Sequence, residues 1–516
     1  MRYEKPNSPG LSIGIVQNNK LIYSKGIGCA SLEYNIKNSD STAFSLASIA
    51  KQFTAACLWT LVRDGKISLE DDIRKHLPEL PERKQSIKIK HLLNHSSGLS
   101  NYHTLMALKG FDYDLEYYDN ETVLELACKQ KKLNHVPGTK TVYGNTSYTL
   151  LALIIERIAQ KNLQEYAKTE LFDPLGMNHT QIRLENQSLI RNKAVGYQQK
   201  GNEFLQNPRI QKSYGAGSMA STITDMAKWL SVLNGTNLQF KKLTEFLTTC
   251  DNSNPNEKAN YARGVMTDNY NGYKTISHSG YGWGGQSQLI TLPEKQLGII
   301  ILTNLESINP TPLSYEILNL LLPAKNTKSE TKKTVVIKSN PRQFKQFVGQ
   351  YKEINSDMKM EILMENDTLK AKGSQAKKAI ALKGYEKEKF HRIANESVKY
   401  DFNQTQDHDL IIRFGGTPFY FKRAVFVQPE TIQIQEFVGD YHSEELDVTY
   451  HFSKNGNQLF LSYKNNENQP VTPVQKDEFG NNRRTLYHFI RDENQNIKSF
   501  LLSSEGTVQN ILFIKK

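Results

Sequence analysis

The sequence of 516 residues predicts an α+β domain followed by two small antiparallel all-β modules. Three observations lead there. Strand-like runs open and close residues 9–322, with helical patterning between them. The stretch "PAKNTKSETKKT" that follows is polar, rich in lysine and without periodicity, as a linker is. Beyond it the chain repeats itself at an offset of 90 residues.

The first elements are a hairpin. "LSIGIV" and "LIYSKGIG" are strand-like, and Asn18-Asn19 between them are turn residues that tolerate positive φ. From Ser48 to about Arg63, the residues Phe53, Ala56, Cys57, Thr60 and Leu61 recur at helical spacing, and Asp64-Gly65 stops the helix. A second helix is expected from roughly Thr149 to Ala159. A third begins at Ser221, with Ser221, Thr222 and Asp225 as cap and first-turn residues. "GQSQLITL" and "QLGIIILTN" are strands on either side of Pro293-Glu294-Lys295, so one sheet gathers both ends of the domain. The domain boundaries read from this are 1–325 for the α+β domain, 326–340 for the linker, and 341–425 and 430–516 for the two β modules. In those modules Phe347-Val348-Gly349 and Tyr351 recur as Phe437-Val438-Gly439 and Tyr441, and Leu369 recurs as Leu459. Each copy closes on a strand ending in Arg or Lys, "FYFKR" and "LFIKK".

Composition narrows the function classes. Apolar residues at 38% with 25 Tyr and 22 Phe supply packed cores and exclude a disordered chain. The net charge of +12 is spread along the length without a basic arm, so nucleic acid is not an expected partner. Cys29, Cys57, Cys128 and Cys250 lack paired spacing, which removes zinc-ribbon and thioredoxin-like readings and leaves buried free thiols. No apolar run reaches the ~20 residues of a membrane helix. No charged-then-apolar leader precedes Leu11, so the chain as given is expected to be unexported and cytoplasmic by default.

Chemistry is concentrated in three places. In "FSLASIAKQF" Ser48 stands one helical turn before Lys51. A serine hydroxyl needs a base within hydrogen-bond reach, and i, i+3 residues share a helix face. Leu46, Ala47, Ala50 and Phe53 around the lysine favour its neutral form by desolvation. "PGTKTVYGNTSYTLLALIIERI" then puts Tyr143 and Asn145 just before a helix, one able to pass protons and the other to hold a substrate carbonyl. "TISHSGYGWGGQSQLITL" puts His278 and Gly280 on a strand edge, followed by glycines that let a substrate backbone approach.

Ser48-x-x-Lys51, Tyr143-x-Asn145 and His278-x-Gly280, in that order, resemble the serine β-lactamase and penicillin-binding protein superfamily, in the branch related to class C β-lactamases. "IKHLLNHSSGL", "FDPLGM" and "GAGSMASTITDMAKWL" resemble the same branch, and the likeness covers residues 9 to about 322. It implies a β-lactamase/DD-peptidase-like domain with an antiparallel sheet flanked by helices. It implies Ser48 as acylated nucleophile, Lys51 sharing its proton with Tyr143 as general base, and Asn145 orienting the substrate amide or ester. His278 stands where many relatives have lysine, and the oxyanion is held by the backbone N–H groups of Ser48 and Tyr281, beside Gly280. Two appended antiparallel, lipocalin-like barrels resemble the D-aminopeptidases and CubicO-type peptidases, in which barrels shape access and assist homo-oligomeric assembly. Relatives are often periplasmic or secreted. The resemblance implies no cofactor and no metal.

The leading reading is a serine hydrolase acting through an acyl-enzyme on small D-amino-acid-containing peptides or amides. A carboxylesterase or class C-like β-lactamase is the alternative, and a catalytically quiet binding protein is the third. Because histidine is mostly neutral at pH 8, strong recognition of a substrate carboxylate is not expected. Gly280 to Gly285 fit G-x-G-x-x-G but precede a strand, so they read as a turn. His91 and His95, at i and i+4, read as structural. Trp283 and Tyr214 are candidates for pocket walls.

Overall fold

The computed structural model describes residues 3–185, 188–206, 212–251, 260–282, 284–322, 344–374, 376–393, 395–414 and 417–516. Two compact units divide the chain. One comprises residues 1–102 and 111–324, the other residues 103–110 and 325–516. The expected linker at 326–340 and Trp283 lie outside the described residues.

In the first unit the strands β1 (Leu11–Gln17) and β2 (Lys20–Ile27) form the expected hairpin, turned by Asn18 and Asn19 at φ 51° and 60°. Helix α1 (Ala50–Arg63) follows a 3-10 turn, Ala47–Ile49, and ends at Asp64-Gly65. A short helix α2 (Ile89–Leu93) precedes α3 (Thr146–Ala159) and α4 (Ile223–Leu233). Strands β3 (Met266–Tyr270), β4 (Tyr273–Gly282), β5 (Gly285–Leu292) and β6 (Leu297–Thr303) then lead to helix α5 (Pro310–Leu321). The sheet order is β3-β4-β5-β6-β1-β2, antiparallel throughout, with Leu11 opposite Thr303. The two ends of the sequence segment therefore meet within one sheet, as expected.

The core explains the arrangement. Every residue of α1 from Ala50 to Leu61 is buried, and α3 is buried from Thr146 to Ile155, so both run through the interior instead of over its surface. Strand β6 is buried along its whole length, which is what its unbroken apolar run requires of a strand covered on both faces. Two boundaries differ from expectation. Helix α3 begins at Thr146, because Thr146 Oγ1 donates to the carbonyl of Ser100 and accepts the Tyr102 N–H, which fixes the first turn early. Ser221 is the end of a buried strand and not a cap. Thr222 alone caps α4, by accepting the Asp225 N–H. Cys250, expected to be buried, is exposed because the helix that turns Phe246 and Leu247 inward has already ended at Thr248.

The second unit holds two closed barrels of eight antiparallel strands, running from Gly349–Glu353 to Thr417–Arg423 and from Gly439–Ser443 to Val508–Lys515. The repeated residues are the closure device. Tyr351 and Tyr441 donate to the carbonyls of Phe347 and Phe437 at 2.8 and 3.1 Å. Each tyrosine pairs across the seam with the basic residue that ends the last strand, Arg423 or Lys515, whose charge lies 5.0 or 5.6 Å from the tyrosine ring centre. Leu369 and Leu459 occupy matching places in the two cores. The barrels touch through Lys352 and Glu478, a pair 2.5 Å apart with 10% and 13% of their side chains exposed, and through Asp357, which accepts the Asn482 N–H. Among the described residues no helix is long and apolar enough to cross a membrane.

Candidate active site

Ser48 sits in the 3-10 turn that leads into α1, half-buried, directly after Ala47 at φ 45°. A side chain with a β-carbon rarely adopts such a backbone, and strain of this kind collects at reactive positions. The turn is pressed against β4. A β-carbon on Gly280 would come within 2.3 Å of the Leu46 carbonyl oxygen and 2.2 Å of Ser287 Oγ, so only glycine lets the strand pass the Ser48 turn this closely. The space beside Gly280 is thus taken by the protein's own chain.

One turn on, Lys51 is wholly buried, which excludes a solvated surface lysine. Its Nζ donates to Ser48 Oγ at 3.1 Å, to Asn145 Oδ1 at 2.8 Å and to the Ala216 carbonyl at 2.8 Å. None of the three carries a charge. Burial alone lowers the ammonium from its ordinary value to about 7. The Ala216 carbonyl is set by Gly215, at φ 91°, where a β-carbon would strike the Tyr148 carbonyl at 2.5 Å.

Tyr143 and Asn145 precede α3, as the sequence places them. Tyr143 stands near enough to Ser48 for the serine to act on its phenol, and its ring centre lies 5.0 Å from Lys51 Nζ. The residue keeps 41% of its surface exposed, yet loss of water around its hydroxyl raises the phenol above the ordinary tyrosine range, with Ser48 opposing. Asn145 is tied to the lysine, so besides any contact with substrate it holds the base in position.

His278 lies on β4, 4% exposed, with its ring centre 6.2 Å from that of Tyr143. Nδ1 donates to the Ser279 carbonyl at 2.6 Å, and Nε2 accepts from the Tyr261 hydroxyl at 3.2 Å. Burial, with the charge of Lys51, pushes the imidazole down to about 3. An ordinary histidine titrates near 6.5, and desolvation holds this one neutral throughout the working range. Gly280 and Tyr281 follow where β4 has outrun β3, whose last pairing is Met266 with Ser277. The Tyr281 side chain is 62% exposed and its hydroxyl donates to Glu306.

Sequence reading missed Tyr261, which no periodicity marks and which reaches the site by tertiary packing between the rings of His95, Tyr143 and His278. His95 belongs there too. It does not share a helix with His91, because α2 ends at Leu93. Tyr214 donates to both carboxylate oxygens of Glu156 at 2.9 Å, which is a packing role. The five aromatic and imidazole side chains around Lys51 (His95, Tyr143, Tyr148, Tyr261 and His278) are all held neutral by burial. At pH 8, with Lys51 mostly deprotonated, the cluster carries little charge.

An antiparallel sheet flanked by helices, with a Ser-x-x-Lys turn against its third-motif strand, defines the serine-reactive penicillin-recognising class. The family model described as Beta-lactamase matches residues 2–320, and the chain belongs to that family of serine hydrolases. It is 28% identical over 316 residues to Protein flp of Staphylococcus aureus (strain MRSA252), covering 59% of this chain and 61% of that protein. It is 31% identical over 235 residues to the teichoic acid D-alanine hydrolase of Staphylococcus aureus, covering 45% of this chain and 56% of that one. Among solved structures, the octameric penicillin-binding protein homologue from Pyrococcus abyssi matches with a TM-score of 0.57 at 23% identity, over 89% of this chain and 95% of the other. That likeness extends through the barrels and concerns the fold.

Proposed function

We propose that the protein hydrolyses amides or esters of D-amino acids through an acyl-enzyme on Ser48. The observation that carries this is Lys51: a buried lysine without a charged partner among the described residues, 3.1 Å from a serine oxygen, and neutral above about pH 7. Neutral Lys51 takes the Ser48 proton as the oxygen attacks the substrate carbonyl. The oxyanion is held between the N–H groups of Ser48 and Tyr281. Tyr143, beside Ser48, gives its own proton to the leaving nitrogen or oxygen and takes the one held by Lys51 in its place. Water then attacks the acyl-enzyme along the same relay in reverse, and Asn145 keeps Lys51 aimed.

The likeness to a teichoic acid D-alanine hydrolase supports a D-alanyl acyl group. Neutral, buried His278 supports a substrate whose recognition does not need a free carboxylate, and Arg263, one alternative cation, is paired with Asp251 at 2.5 Å. That disfavours the β-lactamase alternative. The likeness to an octameric homologue supports assembly into oligomers. Initial rates on D-alanine p-nitroanilide, its L isomer, p-nitrophenyl butyrate and a chromogenic cephalosporin test the reading. Turnover of the D-alanyl substrate well above the other three is expected, and hydrolysis of the cephalosporin alone would overturn it. Light scattering checks the assembly.

A further inference from the structure

His95 lies beside the proton relay without belonging to it. It stands two residues past the end of α2, 2% exposed, at φ 58°, a backbone conformation that residues with a β-carbon avoid. Two of its groups hold the loop that carries Tyr143. Its carbonyl accepts the Val142 N–H at 2.9 Å, and its Nδ1 accepts the Gly144 N–H at 3.4 Å. Both neighbours of Tyr143 are therefore fastened to one residue. The imidazole itself packs on the tyrosine, ring centres 4.4 Å apart, and on Tyr261 and Tyr148 at 4.6 and 5.1 Å.

The tautomer follows from these contacts. A neutral imidazole has one N–H, and since Nδ1 is an acceptor the proton is on Nε2. Nε2 is buried and has no hydrogen-bond partner among the described residues. A buried donor left unpaired is unfavourable, and a phenylalanine would fill the same space without that cost. What the imidazole supplies and a phenyl ring does not is the acceptor for Gly144 and an N–H dipole among three phenol rings. Such a dipole favours an electron-rich ring, and Tyr143 becomes one whenever its proton is on Ser48 or the leaving group.

We propose that His95 is a positioning residue for Tyr143, holding its hydroxyl in register with Ser48 and Lys51 and easing its loss of a proton. The inference rests on the serine-hydrolase reading above. It is tested with His95→Phe, which keeps a ring but neither nitrogen, and His95→Asn, which suits positive φ and keeps an acceptor but no ring. Each is made alone and together with Tyr143→Phe. Folding is checked by circular dichroism and melting, acylation by the rate of fluorophosphonate labelling, and turnover on D-alanine p-nitroanilide by kcat and KM separately.

The expected result is a folded His95→Phe protein whose labelling rate and kcat fall at least about tenfold with KM nearly unchanged, and whose loss largely disappears in the Tyr143→Phe background. His95→Asn is expected to lose less than His95→Phe, because an acceptor for Gly144 remains. It also decides the matter in the same double-mutant comparison if His95→Phe does not fold. Losses that simply multiply with Tyr143→Phe, or single variants with wild-type kcat, would overturn the inference while leaving a labelled wild type as support for the hydrolase. A wild-type protein that takes no probe would sink the hydrolase reading and this inference with it.

Discussion

Replacing Asn145 with aspartate changes one atom pair and adds one charge, 2.8 Å from Lys51 Nζ. In the wild type, Lys51 is lowered to about 7 by desolvation alone, so its base form accumulates as pH rises through that value and kcat/KM should climb and then level. A carboxylate beside it favours the ammonium and moves the limb upward. At this distance and an effective dielectric near 20, the attraction is about 6 kcal/mol before desolvation of the new carboxylate. If about a third survives, Lys51 rises by ~1.5 pH units. The variant should then be about fifteenfold slower than wild type at pH 7 and recover above roughly pH 9. Any loss of contact between Asn145 and substrate lowers the curve at every pH, so the diagnostic quantity is the position of the limb and not its height. The assay is kcat/KM on D-alanine p-nitroanilide from about pH 5 to 10. A limb that stays where it was would mean that Lys51 is not the group whose proton controls the rate.

Ser48→Ala should abolish fluorophosphonate labelling with an unchanged circular dichroism spectrum, and Lys51→Ala should slow labelling nearly as much, since the pair acts as one unit; label retained by the alanine variant would place the nucleophile elsewhere. Because His278 is neutral down to about pH 3, the ratio of kcat/KM for free-acid and amidated forms of one D-alanyl dipeptide should stay flat from roughly pH 8 to 5. An acid preference that grows as pH drops through 6.5 would show the imidazole taking up a proton. Gly480→Ala would bring a β-carbon within 2.3 Å of Asp357 Cβ between the barrels, and should cost ~1–3 kcal/mol in thermal or urea unfolding. Gly373→Ala, with nothing within 4 Å, is its control, and equal effects of the two would refute the contact.

What the sequence made legible was whatever is encoded locally or by order. Asn18-Asn19 announced the hairpin through backbone preference alone. The 90-residue repeat announced two like modules, and its tyrosines and terminal basic residues turned out to be the seam of each barrel. Ser48, Lys51 and Tyr143 were legible because three spaced motifs in one order are hard to match by chance. Properties that arise from burial were not. Nothing local says that His278 is enclosed by Tyr261 and Lys51, so its ordinary pKa was the natural expectation and desolvation overrode it. Nothing local explains the glycine at 280 either, because the neighbour it admits, the Leu46–Ala47 turn, lies more than two hundred residues away in sequence. Tyr261 is brought in by the close approach of Gly264 to the Lys51 carbonyl, where a β-carbon would stand 2.9 Å away, a contact with no sequence signature.

The pairing of β1 with β6 also has a bearing on how the chain is made. Leu11 finds Thr303, and Gln17 finds Leu297, so an interior strand of the sheet waits for a partner that is translated almost last in its domain. At ordinary synthesis rates that wait is on the order of tens of seconds. Until then the hairpin has one apolar edge without a neighbour, and pairing over so long a loop is slow even after β6 emerges. A nascent chain stopped short of β4 already holds Ser48, Lys51 and Tyr143, but not the strand that presses the nucleophile turn into shape. The shape of the Ser48 turn therefore belongs to the finished sheet, and a half-made chain carries these residues without their arrangement.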